Sequence, residues 1–384
     1  MTEGGAGDIL VLNAGSSSIK FALFDADMGE RLSGVANGIG GTSALTINGT
    51  TKPIALPDHR TALAEILNAL RTNGITPENL RAAAHRVVHG GANLTKPARV
   101  TPETLAEIAA CTPLAPLHNP HNLAAITALA HVAPDLPQYV SFDTSFHATN
   151  PEVATRYALP KSLEAEGIRR YGFHGLSYAS IVQILPALSG TKLPSRLLAF
   201  HLGNGASLCA IKDGKSIATT MGYSPIDGLT MGTRAGGIDA NAVLRLVEIH
   251  GIDHVHKMLN FGSGLTGLSG GQSDMRTLMQ DPSPDAIFAI DHFCYWSLRY
   301  AGSLIAAMEG LDAIAFTGGI GENAPEIRAR ILNGLQWAGV EMDGQANARN
   351  APRLHAATSK IPAYIIPAQE ERMIALDALT LIDK

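Results

Sequence analysis

The apolar run Ile9–Leu12 stops at a small polar stretch, Asn13-Ala14-Gly15-Ser16-Ser17-Ser18, and apolar positions resume at Ile19 and Phe21. Two apolar runs around a short Gly-containing turn predict strand, tight turn, strand. The same alternation returns at Leu197–Leu202, breaks at Gly203-Asn204-Gly205-Ala206-Ser207 and resumes at Leu208–Ile211. Asn13 and Asn204 stand 191 positions apart in a chain of 384 residues, so the pattern predicts two halves, each opening a sheet with such a hairpin. A third Gly-rich bend, Gly318–Asn323, follows the apolar run Ala313–Phe316 and reads as a buried strand entering a helix.

Elsewhere apolar runs alternate with helical spacing, which favours an α/β class. Leu63, Ile66, Leu67 and Leu70 share one face of a helix over Thr61–Thr72, and Gly74 stops it. Ser283 as N-cap and Pro284 in the first turn predict a helix that runs without further proline to Met308. That segment carries Phe288, Phe293, Tyr295, Trp296 and Tyr300, which suits a core helix or one flanking a subunit interface. Cys111–Pro120 and Pro134–Pro137 are Pro-rich and read as rigid loops.

The length points to two domains, and 46% hydrophobic with 16% charged residues describes a well-buried globular chain. A net charge of −5 argues against a general nucleic-acid or membrane-surface binder. Cys111, Cys209 and Cys294 are odd in number and far apart, which implies neither a disulfide framework nor a cysteine metal site. Met1–Asp8 carries no visible secretory signal, and no apolar run approaches the roughly 20 residues that span a bilayer, so a cytoplasmic location is expected.

The first turn gathers groups that suit a phosphate: the N–H groups of Gly15 and the serines, their hydroxyls, the Asn13 amide and, close behind, Lys20. Unpaired N–H groups at a Gly-rich bend form an anion-binding concavity. No Gly-x4-Gly-Lys-Ser/Thr string occurs, so this is not a Walker loop. Gly262-Ser263-Gly264-Leu265-Thr266-Gly267 spells a dinucleotide-type motif, but His256–Asn260 before it does not read as a buried strand. His85 and His89 lack the Glu of a zinc-protease motif.

Six strings hold the remaining reactive residue types: 85–91, 116–120, 142–147, 169–175, 231–237 and 369–371. Together they supply parts for phosphoryl transfer, which needs positioning, a divalent metal and donors around the equatorial oxygens. Arg86 and Arg234 can fork onto phosphate or carboxylate oxygens. His118 and His174 can donate to the moving group. Asp143, Glu370 and Asn13 are hard oxygen donors suited to Mg2+.

Leu12-Asn13-Ala14-Gly15-Ser16-Ser17-Ser18-Ile19-Lys20, His201-Leu202-Gly203-Asn204-Gly205, Met231-Gly232-Thr233-Arg234 and Gly319-Ile320-Gly321-Glu322-Asn323 resemble the signatures of the acetate kinase group of acetokinases. The strings fall in the family's order, from about residue 9 to the C-terminus. The resemblance implies the actin and sugar-kinase fold: two ribonuclease-H-like α/β domains, the nucleotide in the cleft between them, and a homodimer. The first domain would be 1–145 with about 370–384, the second 146–369.

The family pattern makes Asn13 and Glu370 the Mg2+ positions, with Mn2+ as a substitute ion, and Lys20 a nucleotide contact. It makes Arg86 the carboxylate-binding arginine and Asp143 the essential acidic residue. His174 and Arg234 correspond to transition-state stabilisers, with His118 near the phosphoryl group. His201, Leu202, Gly203, Asn204, Gly205, Asp274, Met275, Arg276, Gly319, Ile320, Gly321, Glu322 and Asn323 would line the nucleotide. Val88, Leu117, Phe173 and Pro225 would form a small apolar pocket for a methyl group. Ala368-Gln369 precedes Glu370 where the family commonly shows Thr-Asn, which leaves Glu371 open as the alternative ligand. Gly237 stands where an Asp is common, and residues 30–75 look shortened.

The implied reaction is direct in-line attack of acetate on the γ-phosphorus of Mg·ATP, giving acetyl phosphate and ADP, and its reverse. A carboxylate with a pKa like that of a Glu side chain, about 4.3, is ionised at neutral pH and needs no general base. The expected partners are acetate and ATP or ADP, with no nucleic acid and no membrane. Two alternatives stand beside this reading. One is a propionate or butyrate kinase with a larger pocket. The other is a non-catalytic actin-like ATP-binding regulator, which the presence of Arg86, Asp143, His174 and Arg234 disfavours.

Overall fold

The computed structural model describes residues 7–383, and the chain divides into two compact units, Met1–Ser145 with Gln369–Lys384 and Phe146–Ala368. Unit one holds strands β1 (Asp8–Ala14), β2 (Ser18–Phe24), β3 (Glu30–Asn37), β4 (Ala44–Ile47), β5 (Thr50–Pro53), β6 (Leu80–Val87), β7 (Ala98–Arg99) and β8 (Gln138–Phe142). They form one sheet in the order β5-β4-β3-β2-β1-β6-β8-β7. β1 is antiparallel to β2 and parallel to β6, and β6 is parallel to β8. Every residue of β1 is buried, as suits a strand covered on both faces.

Helices α1 (His59–Thr72), α2 (Pro102–Ala110) and α3 (Asn119–Val132) fill the connections. Asp58 caps α1 by accepting from the Thr61 N–H at 2.7 Å. The face of α1 expected from spacing, Leu63, Ile66, Leu67 and Leu70, joins Leu10, Leu12 and Phe21 in one core cluster. Each such buried side chain contributes about 1.5–3 kcal/mol of transfer free energy. The stretch Cys111–Pro120 is not wholly a loop. A short turn of 3-10 helix spans Thr112–Leu114, and α3 opens at Asn119 with Pro120 in its first turn. A proline there lacks an N–H that the first turn would leave unpaired anyway.

Unit two holds α4 (Glu152–Thr155), α5 (Gly175–Ser189), β9 (Arg196–Leu202), β10 (Ala206–Lys212) and β11 (Lys215–Thr219). Helices α6 (Ala240–His250), α7 (Ile252–Phe261), α8 (Gly264–Leu268), α9 (Met275–Leu278) and α10 (Pro284–Met308) follow. Then come β12 (Ala313–Thr317), α11 (Gly318–Asn323), α12 (Pro325–Gly334), α13 (Gly344–Ala348) and β13 (Ala363–Ile365). The last helix, α14 (Glu370–Ile382), belongs to unit one.

The second sheet has the order β11-β10-β9-β12-β13, with β9 antiparallel to β10 and parallel to β12. The set β3-β2-β1-β6-β8 of unit one has the same order and the same senses. The half-chain repeat seen in the pattern is therefore a repeat of topology. α10 spans the expected residues, and Ser283 accepts from the Ala286 N–H. Phe293 lies in the core, whereas Phe288 and Tyr295 are more than half exposed. His256–Asn260 lies within α7, which removes the dinucleotide reading of the glycines after it. Among the described residues no helix is long and apolar enough to cross a membrane.

Candidate active site

Parallel neighbours end together, so the C-terminal ends of β1, β6 and β8 bring distant residues side by side. Asn13 lies at the end of β1, Arg86 at the end of β6, and Asp143 directly follows β8. Arg86 Nε donates to the two carboxylate oxygens of Asp143 at 2.8 and 3.0 Å, and Nη2 donates to the same carboxylate. Arg86 Nη1 donates to Asn13 Oδ1 at 3.0 Å, and Asn13 Nδ2 donates to Glu371 Oε1 at 3.1 Å. A continuous polar chain thus runs Asp143–Arg86–Asn13–Glu371. Asp143 is buried. Burial opposes the charge on Arg86, but the Asp143 carboxylate beside it holds the guanidinium above its ordinary pKa.

Glu370 opens α14 beside this chain. Burial pushes its carboxyl up to about 7; Arg86 and Lys20 oppose that rise, and Asp143 and Glu371 add to it. A carboxyl held near its protonation point by burial, with other carboxylates beside it, is a place where a cation is welcome. Among the described residues no three His, Cys, Asp or Glu side chains are grouped closely enough to hold a metal by themselves. Mg2+ does not ask for that, because it keeps several waters and takes one or two carboxylates. Asn13 with Glu370, or with Glu371, fits such a partial shell of hard oxygens.

The turn after β1 is supported from behind. Gly15 N–H donates to the Ser18 carbonyl at 2.7 Å, and His59 Nε2 donates to the Gly15 carbonyl at 2.6 Å. His59 stacks on His121 at 4.6 Å between centroids. Lys20 is opposite Asn13 in the β1–β2 register and is exposed. His118 immediately precedes α3; Val88 is buried and Leu117 half-buried.

In unit two the corresponding turn, Gly203–Gly205, joins β9 to β10. His174 precedes α5 at φ +60, a left-handed position that non-glycine residues rarely take. Its ring stacks on His201 at 4.0 Å. His174 Nδ1 shares a hydrogen bond with Ser207 Oγ at 2.8 Å, and His201 Nδ1 with Ser177 Oγ at 2.8 Å. Arg234 Nη1 donates to the Pro225 carbonyl at 2.6 Å. Burial lowers the Arg234 pKa, and among the described residues no carboxylate is paired with it. Gly205 lies against both groups: a Cβ there would stand 2.8 Å from Arg234 Nη2 and 3.2 Å from His174 Nε2. Only glycine leaves that space open.

A cavity of about 370 Å3 opens beside this turn. Of the residues expected to line a nucleotide, it takes in Gly203, Asn204, Asp274, Met275, Arg276, Gly319, Ile320 and Asn323, together with Ser273 and Ala324. Leu202 is instead in the core, and Gly321 is buried with its carbonyl accepting from Arg328 Nη1 at 2.9 Å. Glu322 Oε1 accepts from the N–H groups of Gly318 and Ala368, so its carboxylate holds loop backbone. Arg276 turns back onto Asp274. Phe173 is buried directly before His174, and Pro225 gives its carbonyl to Arg234.

Two participants escaped the sequence reading: Ser207 and Ser177 hold the two histidine rings, and neither had a local signal. Glu371, expected only as the alternative ligand to Glu370, holds the Asn13 amide.

Comparison with known proteins follows the same lines. The sequence profile described as the acetokinase family matches residues 8–376. The chain is 46% identical over 393 residues to an acetate kinase of Rhodopseudomonas palustris, covering 98% of both. It is 41% identical over 397 residues to an acetate kinase of Methylocella silvestris, again covering 98% of both. The crystal structure of Porphyromonas gingivalis acetate kinase matches at a TM-score of 0.90 and 34% identity, over 99% of this chain and 100% of that one. A Francisella tularensis propionate kinase structure matches at 0.91 and 35%, over 97% and 98%.

Proposed function

This chain belongs to the acetokinase family, and we infer that it transfers the γ-phosphoryl group of ATP to acetate, giving acetyl phosphate and ADP, and runs the reverse reaction. The observation that carries the reading is Arg234, a partly buried guanidinium with no carboxylate against it among the described residues, beside His174 and the Gly203–Gly205 turn. Such a cation suits the charge that a transferring phosphoryl group spreads over its equatorial oxygens.

In this reading the nucleotide occupies the cavity of unit two, with Lys20 as a further contact. Arg234 and His174 donate to the moving group, joined by His118. Arg86 receives the acetate carboxylate. Of its five N–H groups, three are engaged by Asp143 and Asn13, which leaves two for an anion. Asp143 then keeps Arg86 charged and oriented. Acetate arrives ionised, so the step is a direct in-line displacement without a general base. Val88, Leu117, Phe173 and Pro225 are the proposed contacts of the methyl group. Asn13 and Glu370 would hold Mg2+, or Mn2+ in its place; when bound, the ion supplies neutralisation of phosphate charge.

We read both units as ribonuclease-H-like domains, on the shared strand order. We further read the chain as a cytoplasmic homodimer. α6 buries none of its eleven residues, and Leu244, Ile249, Ile252, Phe261, Phe288 and Tyr295 are all exposed, which supports a second copy covering this face of unit two.

Trapping the acyl phosphate as a hydroxamate, with acetate, propionate and butyrate in parallel, tests the reading. Acetate gives the highest kcat/KM. A propionate preference would move the chain toward the function named for the Francisella relative. Absence of ADP formation with all three acids would favour a non-catalytic ATP-binding regulator.

A further inference from the structure

The β1–β6 ladder runs in parallel register from Asp8 opposite Leu80 to Leu12 opposite His85 and stops there. Just past its end, the two strands carry Asn13 and Arg86, which must meet at 3.0 Å. Backbone pairing no longer holds the strands together at that point. One side chain takes over. Asn122, on α3 and 1% exposed, donates from Nδ2 to the Ala14 carbonyl at 2.7 Å and accepts at Oδ1 from the Val88 N–H at 3.1 Å. Its amide bridges the strand ends as an inserted backbone peptide would. The reversed amide would set donor against donor and acceptor against acceptor, so the orientation follows from its partners. One helical turn earlier Asn119, fully buried, repeats the device on His89: Oδ1 accepts from its N–H and Nδ2 donates to its carbonyl.

We propose that Asn122 is a positioning residue for the acceptor side of the site: it sets the separation of Ala14 and Val88, and through them the meeting of Asn13 with Arg86. The proposal rests on the reading of Arg86 as the acetate-binding arginine. Asn122 touches neither substrate in this role. An apolar residue of like size would leave a buried carbonyl and a buried N–H unpaired. An ionised Asp would keep the bond from Val88 but face the Ala14 carbonyl without a proton to give.

Asn122→Asp discriminates this from a merely structural role. At pH 8 its acetate KM rises about tenfold or more relative to the parent, on the scale of a buried hydrogen bond lost, while ATP KM stays within about twofold. As the pH falls toward 6 the variant-to-parent KM ratio shrinks, because a protonated carboxyl donates to Ala14 again. Parallel rises in acetate and ATP KM, or a ratio flat with pH, would overturn the proposal. Should that variant not fold, Asn122→Ser, which retains a donor, raises acetate KM by about threefold or more with ATP KM unmoved, and equal effects on both would overturn it. A parent chain inactive with acetate would instead sink the reading of the site on which the proposal rests.

Discussion

The turns after β1 and β9 occupy the same position in two sheets of the same strand order, yet their surroundings are electrically opposite. In unit one Arg86 is forked onto buried Asp143, with Glu370 and Glu371 close by. In unit two Arg234 has a carbonyl for company and, among the described residues, no acid. A compensated cation is held rigidly and serves as a frame. An uncompensated one costs stability to bury and is repaid only when an anion arrives. One topology thus supports two tasks, because the sheet sets where the turn lies and the side chains around it set the charge.

Replacing the two arginines tests this most severely. Arg234→Ala lowers kcat by roughly 10³-fold, the scale of an arginine-finger loss, with Tm unchanged or raised, since the buried guanidinium is uncompensated. Arg86→Ala raises acetate KM and also lowers stability by about 3–5 kcal/mol, since it strands a buried carboxylate. Equal Tm losses in the two variants, read by calorimetry, would erase the distinction.

The glycines of the two turns come next. Gly205→Ala drives a Cβ into Arg234 and His174 and costs about 10²-fold in kcat, the usual penalty for shifting a reacting group by an ångström. At Gly15 the nearest atom to an added Cβ is Ser18 Oγ at 3.4 Å, an ordinary contact, so Gly15→Ala leaves kcat nearly intact.

On the proposed assignment, metal dependence rests on residues of unit one. Asn13→Ala and Glu370→Ala each raise the Mg2+ needed for half-maximal rate by about tenfold. Glu371→Ala does so less, through loosening of the Asn13 amide; a larger effect at Glu371 would exchange the two glutamates in the assignment. Because the Glu370 carboxyl is raised from 4.5 to about 7, the folded chain holds that proton more tightly than the unfolded one. Its contribution to stability is therefore complete below about 4.5 and lost as the pH rises through 7. Without Mg2+, Tm falls over that range, and Glu370→Gln flattens the fall. With Mg2+, half-saturation moves to lower concentration as the pH rises, since the ion displaces the proton.

The smallest effect is on the acceptor. Val88→Ala opens room for one methylene and narrows the acetate-to-propionate ratio in kcat/KM by several-fold, within the roughly 10–200-fold that a methylene commands. ATP KM stays unchanged. An unaltered ratio would remove Val88 from the methyl contacts.

Much of the fold was legible because its signals are local. Ser283-Pro284 announced a helix start that needs only its own first turn, and the apolar face of α1 repeats within the reach of one helix. The Pro-rich stretch before α3 misled for the same reason in reverse, since proline signals a loop and a helix start alike. The residue types of the site were legible as strings, but their partnerships were not. Arg86 and Asp143 lie 57 positions apart, and Asn13 and Glu371 lie 358 apart.

By itself the sequence determined the α/β class, the duplicated hairpin, the family and the set of polar groups that could serve a phosphoryl transfer. These rest on periodicity, turn chemistry and motif strings that match the family's signatures, all properties of neighbouring residues. Tertiary structure alone decided that Arg86 is neutralised and Arg234 is not, that Gly205 must remain without a side chain, and that Asn122 closes the gap where the ladder ends. Charge compensation, steric room and the completion of a hydrogen-bond ladder depend on distances across the sheet, and only the folded chain sets those.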